Sequence, residues 1–433
     1  MSFRYQNWTA DAEQGTLTCR YSLDGRDFAE RVTLPPGPRW HTEAARAAAR
    51  LVFLLAGVSY YKTVAPPLID LGDTALTDTE LAFLREYYLQ GLGEFAYRND
   101  LDLSGLTVQA PRAPHAAPAK APADGRRALV PFGGGIDSIV VVERVRAKAD
   151  VALFVVSRPA DRFEAIEAPA AVAGLPVVRA EREIDPQLLR SAELGFRNGH
   201  VPVTGILSAI AVLAAVLTGR DTVVMSNEWS ASIPTLEYQG HPVNHQYSKS
   251  ASFEAAFRGV LAQSPVGLPD YFSWLRDRTE LWVGREFAKL GQYHGSFRSC
   301  NKAFYADPAR RLDHWCGQCD KCCFIDLILA PFLPAAELGQ IFAATGEPLQ
   351  DATLAGKFRA LLGAGTKPFE CVGEVSECRA AVLLAARRDD RQADRLLREL
   401  AGEVAARPDA PTDADAAAML APVGEAFIPA GYR

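Results

Sequence analysis

Ala128-Leu129-Val130-Pro131-Phe132 runs straight into Gly133-Gly134-Gly135-Ile136-Asp137-Ser138 and on into Ile139-Val140-Val141-Val142-Glu143. The order is strand, glycine turn, helix, with a carboxylate and a hydroxyl at the helix mouth. Successive glycines let backbone N–H groups turn toward one point, because no Cβ blocks the approach of a ligand. The first helical turn adds unpaired N–H donors and the positive end of the helix dipole, and both favour a phosphate. Ser138 can cap the helix or donate to a phosphate oxygen. Asp137 can hold a Mg²⁺ that screens the phosphate charge.

Spacing decides which phosphate loop this is. A Walker loop ends in Gly-Lys-Ser/Thr, and no lysine stands here; the dinucleotide fingerprint needs a sixth-position glycine, and that position is Ser138. The string instead resembles the PP-loop, S-G-G-x-D-S, of the ATP pyrophosphatases, which split ATP into AMP and pyrophosphate. Gly133 replaces the first serine of that pattern. One phosphate-facing hydroxyl is therefore missing, and a backbone N–H must serve instead.

A chain of 433 residues, 48% of them hydrophobic, can bury a large core and more than one domain. The net charge of −6 argues against non-specific nucleic-acid binding. The first 30 residues lack the apolar core of a signal peptide. The longest apolar run, from Gly205 to Leu217, is too short to cross a bilayer. A cytoplasmic protein with no membrane partner is expected, so its eight cysteines read as thiols or metal ligands rather than disulfides.

The residues predict four regions. Residues 1–110 form an N-terminal α+β domain: antiparallel strands over Phe3–Leu34, then helices at Thr42–Ala56 and Thr79–Tyr97. Residues 111–126 are Ala/Pro-rich (Pro111, Pro114, Pro118, Pro122), which is linker composition. From 127 to 300, strand-like runs at Val151–Val156, Pro176–Arg179 and Thr222–Met225 alternate with helical ones at Ile139–Ala149, Arg162–Ala173 and Val203–Leu217. That alternation predicts an α/β, doubly wound parallel sheet with its ligand at the carboxyl ends of the strands, where Gly133–Ser138 and Ser226-Asn227-Glu228 fall. Residues 301–433 are helical in period. Tyr60-Tyr61-Lys62 and Glu94–Asn99 mix aromatics with charge, which suits either a sugar or base pocket or simple amphipathic packing.

Cys316, Cys319 and Cys322 stand at intervals of three before an apolar helix, and Cys300 is a fourth candidate ligand. Such thiolates can converge on one tetrahedral Zn²⁺. A redox thiol, or plain burial before a helix, is the alternative. The four resemble the zinc site of the PP-loop enzyme 7-cyano-7-deazaguanine synthase, with a longer interval after Cys300. Cys19, Cys371 and Cys378 have no partner pattern and read as core packing.

These segments, with one more, occur together: Tyr60-Tyr61-Lys62, Gly91–Asn99, the glycine loop, Ser226-Asn227-Glu228, Val243–Ser250 and Trp315–Cys322. In that combination, over nearly the whole length, the chain resembles the UDP-N-acetylmuramoyl-L-alanyl-L-glutamate epimerases (MurL) of peptidoglycan synthesis. The resemblance implies an ATP- and Mg²⁺-dependent inversion of the terminal glutamate of UDP-MurNAc-L-Ala-L-Glu, through an acyl-adenylate, with AMP and pyrophosphate released. It implies that Gly133, Gly134, Gly135, Asp137 and Ser138 hold the β- and γ-phosphates, with Asp137 toward Mg²⁺.

Other roles follow from position. Asn227 and Glu228, at a strand end, can contact the nucleotide, the metal or the reacting carboxyl, or simply cap a turn. His241, His245 and Lys249 gather proton-transfer groups in one polar stretch, and Lys249 is equally an anion anchor. Cys300 or Cys316 would serve as a thiol base if metal-free. Lys62, Arg98, Arg298 and Lys302 are candidate anchors for the UDP phosphates and peptide carboxylates. The N-terminal region, with its Tyr/Arg clusters, is the expected UDP-sugar site. Competing readings are a PP-loop amide- or nitrile-forming ligase, a tRNA-modifying PP-loop protein, which the acidic charge disfavours, and a zinc-stabilised nucleotide-binding module without turnover.

Overall fold

The strand before the glycine loop buries side chains on both of its faces, and this decides the architecture. Ala128 and Val130 enter one apolar core while Leu129 enters another, the period-two signature of a strand covered on both sides. A computed structural model describes residues 1–433 apart from 115, 116, 118, 120–125 and 366. The expected linker, 111–126, therefore lies mostly outside the described residues.

The strands are β1 (Ser2–Asp11), β2 (Thr16–Leu23), β3 (Arg26–Thr33), β4 (Leu68–Asp70), β5 (Thr107–Gln109), β6 (Arg127–Pro131), β7 (Asp150–Ser157), β8 (Val177–Glu183), β9 (Thr222–Met225), β10 (Leu236–Tyr238), β11 (His241–Val243) and β12 (Asp270–Ser273). Ten of them form one sheet in the order β12-β9-β6-β7-β8-β3-β2-β1-β4-β5, and β10-β11 is a separate hairpin. From β12 to β8 every pairing is parallel. β8, β3, β2 and β1 pair antiparallel, and β4 and β5 add in parallel. The chain is α/β, with a large, mostly parallel sheet.

Helices Ile136–Val145 and Glu164–Ala173 pack on one face, with the C-terminal helices. Helices Glu43–Ala56 and Val203–Thr218 pack on the other. The apolar Gly205–Leu217 run is thus a buried helix, and no helix among the described residues is long and apolar enough to cross a membrane. The sequence advances from β6 through β7 to β8 in one direction and returns to β9 and β12 in the other. The carboxyl end of β6 is therefore a topological switch point, where open α/β sheets bind ligands.

Most expected elements form. The β2–β3 turn has Asp24 and Gly25 both at positive φ, the twist that a two-residue hairpin turn demands. Thr77 caps helix Asp78–Gly91 through a reciprocal box with Glu80. The helix expected to reach Tyr97 instead breaks at Leu92 and resumes as Gly93–Arg98. Gly91 lies against Pro202, where a Cβ would come within 2.5 Å of the ring. The sheet also runs unbroken across the expected boundary at 110, because β8 continues past Arg179 to pair with β3.

Candidate active site

Gly134 sits at φ +74°, and a Cβ there would meet the Ala165 carbonyl oxygen at 2.2 Å, so only glycine fits. Gly135 caps helix Ile136–Val145 in an extended conformation, and the buried Ser138 hydroxyl donates to its carbonyl at 3.1 Å. Above Gly135 stands Ser299, 3.8 Å from where a Cβ would lie. The Ser299 hydroxyl and Nε and Nη1 of Arg298 are buried without a hydrogen-bond partner among the described residues. Buried donors left open in this way fit an anion. Ser299 thus brings a second hydroxyl to the loop, beside Gly135.

Beside the loop, carboxylate oxygens of Asp137, Glu228 and Glu280 lie within 4.8 Å of one another. Three elements deliver them. Asp137 is in the first turn after the loop, Glu228 follows β9, and Glu280 opens helix Glu280–Phe287 behind its Thr279 cap. The Glu228 carbonyl accepts from buried Arg276 at 3.0 Å, and the Glu280 N–H donates to Glu377 at 2.8 Å, so the backbone of both is fixed. Asp137 Oδ1 and Glu280 Oε2 are buried without partners among the described residues. Burial and then the Glu228 charge push the Asp137 carboxyl up to about 6, and burial with Asp137 raises Glu280 well above the usual range. Hard oxygen donors that repel one another in this way fit Mg²⁺. Lys249 and Lys321 are the cations that face Asp137.

Lys249 also connects the acidic triad to a second cluster. Its Nζ lies 3.1 Å from Cys371 Sγ and 3.3 Å from Gln246 Oε1. His245 hydrogen-bonds the same sulfur, while its Nδ1 pairs with Glu94. Arg98 holds the other Glu94 oxygen at 2.5 Å and lies over the Phe369 ring at 4.8 Å. His200 packs against His245 with ring centroids 4.3 Å apart and the rings tilted by 43°. Burial alone would raise the Cys371 thiol, but Lys249, His245 and Lys321 outweigh it and bring it down to about 6. Burial opposes protonation of His245, yet Cys371 and Glu94 raise it to about 9. Burial and then His245 lower His200 to about 4.

Cys300, Cys316, Cys319 and Cys322 bring their sulfurs within 4.8 Å of one another. The closest approaches are 3.4 Å (Cys319–Cys322), 3.7 Å (Cys316–Cys322) and 4.0 Å (Cys300–Cys319). A tetrahedral ion with bonds of about 2.3 Å separates its sulfurs by about 3.8 Å. The long interval after Cys300 is absorbed by two short 3-10 turns, Asn301–Phe304 and Pro308–Arg310. Cys319 caps helix Asp320–Leu329, which carries Lys321 toward the site.

Residues 1–274 match the MurL N-terminal domain, and residues 296–415 match the MurL C-terminal domain. The chain belongs to the MurL family. It is 40% identical to the UDP-N-acetyl-alpha-D-muramoyl-L-alanyl-L-glutamate epimerase of Xanthomonas oryzae pv. oryzae, covering 99% of this chain and 95% of that one. Proteins of the same name from Salinispora tropica (41%, covering 88% and 84%) and a Micromonospora species (38%, covering 100% and 96%) are similar over most of their lengths. No solved structure matches.

Within this MurL chain the expected site residues divide. Gly133, Gly134, Gly135, Asp137, Ser138 and Glu228 gather at the switch point, and His245, Lys249 and Arg98 meet in the adjoining cluster. Asn227 is buried beside Glu228 and uses its backbone N–H on Ser273. Lys62 donates to Asn198 at 2.6 Å and to the Gly199 carbonyl at 3.1 Å, one residue from His200. His241 is not joined to His245. It lies exposed on the β10–β11 hairpin, in a separate cavity of about 370 Å³ with Asp102 and Tyr238. Strand pairing puts the two histidines apart, because Pro242 and Val243 carry the chain from the hairpin edge into the buried turn. Lys302 is half-buried two residues from Cys300, and among the described residues it makes no side-chain hydrogen bond or ion pair to either cluster. Tyr60 and Tyr61 are fully buried and pack the core. Glu94, His200, Glu280, Ser299, Lys321 and Cys371 were not legible as site residues. Only Glu94 and Lys321 fall inside segments that carry the family resemblance, and Cys371 is the reverse of the core-packing expectation, being half-buried between two cations.

Proposed function

We propose that this protein is an ATP- and Mg²⁺-dependent epimerase that inverts the terminal L-glutamate of UDP-MurNAc-L-Ala-L-Glu to D-glutamate. The observation that carries this reading is the juxtaposition across Lys249 of an acidic triad at a glycine phosphate loop and a thiol–imidazole cluster. Activation and proton transfer are the two requirements of inversion next to a carboxylate. The family relatives' shared name supports the substrate.

A proton α to a free carboxylate is hard to remove, because the carbanion would form beside an existing charge. Conversion of that carboxylate to a mixed anhydride with AMP lets the charge delocalise as an enolate. The loop N–H groups, Ser299 and Arg298 fit the departing pyrophosphate. Asp137, Glu228 and Glu280 would hold Mg²⁺, which when bound neutralises phosphate charge during the displacement. Lys249, between the two clusters, is placed to bind the reacting carboxyl. The four cysteines fit a structural Zn²⁺ that ties the Cys300 segment to helix Asp320–Leu329. Lys62 and Arg98 remain our proposed anchors for the UDP-sugar end, which would place the N-terminal region in substrate recognition.

Incubation with UDP-MurNAc-L-Ala-L-Glu, ATP and Mg²⁺, followed by nucleotide chromatography and chiral analysis of glutamate, tests the proposal. AMP, pyrophosphate and D-glutamate are the expected products. ADP, or AMP with only L-glutamate, would contradict it.

A further inference from the structure

We propose that Cys371 is the base of the inversion: its sulfur takes the α-proton of the activated glutamate while Lys249 and His245 hold it as a thiolate. The proposal rests on the epimerase reading above.

Position is the first argument. Of the cysteines outside the four-sulfur group, Cys19, Cys323 and Cys378 are buried in the core. Cys371 is partly exposed and contacts Lys249 at 3.1 Å. The same lysine also faces Asp137 and Glu228. A carboxyl activated over the acidic triad and steered by Lys249 would therefore present its neighbouring Cα–H to the sulfur.

Charge is the second. An ammonium and an imidazolium set against one sulfur favour its anionic form, because nearby opposite charge stabilises a thiolate more than a thiol. The thiolate is the reactive form of cysteine. The groups that face the sulfur are Lys249, His245 and Lys321, the last of which donates to the Cys371 carbonyl. Glu94, Arg98 and His200 stand behind His245, and Glu370 precedes Cys371 and accepts from Asn301. Glu94 takes Nδ1 of His245, which leaves Nε2 for the sulfur and fixes the ring as a donor to it. A thiol brought down to about 6 is deprotonated at neutral pH, yet basic enough to accept a proton in the transition state.

The step balances without a redox partner. The α-proton moves to Sγ, and the Cα–H electron pair becomes the enolate double bond. A water-exchanged acid returns a proton to the opposite face. The Cys371 thiol then loses its proton to water, and hydrolysis of the anhydride frees the inverted carboxylate.

The test compares full-length wild type, Cys371→Ser and Cys371→Ala with substrate, ATP and Mg²⁺ in D₂O. Two readouts are followed: ATP–pyrophosphate isotope exchange for activation, and deuterium at the glutamate α-carbon for proton transfer. The variants should keep isotope exchange within about tenfold of wild type and lose α-exchange by about 100-fold or more, the typical contribution of a general base. α-Exchange within about tenfold of wild type in Cys371→Ser would overturn the assignment and leave the epimerase reading intact. Wild type without α-exchange would instead overturn the epimerase reading. Should both variants lose activation as well, wild-type Cys371 decides: its iodoacetamide labelling, read by peptide mass, should rise with a midpoint near 6 and be blocked by substrate. A midpoint near that of an ordinary thiol, about 8.5, or labelling indifferent to substrate, would overturn the proposal.

Discussion

Cys371 and His245 set the pH range in which the site holds its working charges. The Cys371 thiol is held at about 6, so its anion is lost as pH falls through that value. His245 is held at about 9, so its cation is lost as pH rises through that value. The depressed thiol contributes stability that is full above the ordinary thiol range and fades as pH falls through about 6. The raised imidazole contributes stability that is full below its ordinary value and fades as pH rises through about 9. The thiolate–imidazolium pair therefore dominates between the two, and the rate of α-proton exchange should be bell-shaped, with limbs near 6 and 9 that belong to the pair. A flat profile across that range would remove the pair from the reaction. At this scale a sequence is readable where backbone demands are local. Gly133–Ser138 is a contiguous string whose backbone demands can be read off. Cys371 meets Lys249 across 122 residues, and no spacing rule announces such a contact.

At the scale of elements, helix Asp320–Leu329 joins the sulfur group to the active site. Cys319 caps it, Cys322 lies within its first turn, and Lys321 between them reaches the Cys371 carbonyl. Lys357 braces the same turn through Asp320 at 2.8 Å. A metal that fixes the four sulfurs would therefore also fix Lys321. The purified protein should carry about one zinc per chain by plasma emission spectrometry. Cys322→Ser should lose that zinc, lower the melting temperature and reduce α-exchange together. Full activity in a zinc-free protein would separate the helix from the site. The cysteine spacing was readable because ligand geometry is local to a turn. Convergence of Cys300 depended on two 3-10 turns that no hydrophobic period marks.

For the molecule as a whole, the β3–β8 seam makes one body of what composition divides at 110. The seam pairs Arg31–Thr33 with Glu181–Glu183 in antiparallel register. Fully buried Glu30 takes both arms of Arg182, at 2.8 and 3.1 Å, and accepts from Tyr60 at 2.9 Å. Leaving that carboxylate alone should cost about 3–5 kcal/mol, so Arg182→Ala should lower the urea midpoint of a single cooperative transition. Two separate transitions in wild type would contradict a shared core. The seam escaped sequence reading because Arg179, Glu181, Arg182 and Glu183 look like a solvated run, and the alternation that ends a strand in sequence here meets partners 152 residues away. Most of the parallel half was legible, since buried strands and amphipathic helices alternate in plain order up to β9, but the edge strand β12 was not expected. Glu94 and Arg98 come from the N-terminal half, whereas Lys249 and Cys371 come from the rest of the chain. The proposed reaction thus needs the whole chain.

In the proposed reaction, nucleotide activation and α-proton transfer occur in one site. The most direct measurement is one incubation of wild type with UDP-MurNAc-L-Ala-L-Glu and Mg²⁺ in D₂O, with and without ATP, followed by chiral separation and mass of the glutamate. D-glutamate carrying one deuterium, formed only with ATP, is the predicted result. D-glutamate formed without ATP, or ATP cleaved while the glutamate stays L and unlabelled, would contradict it.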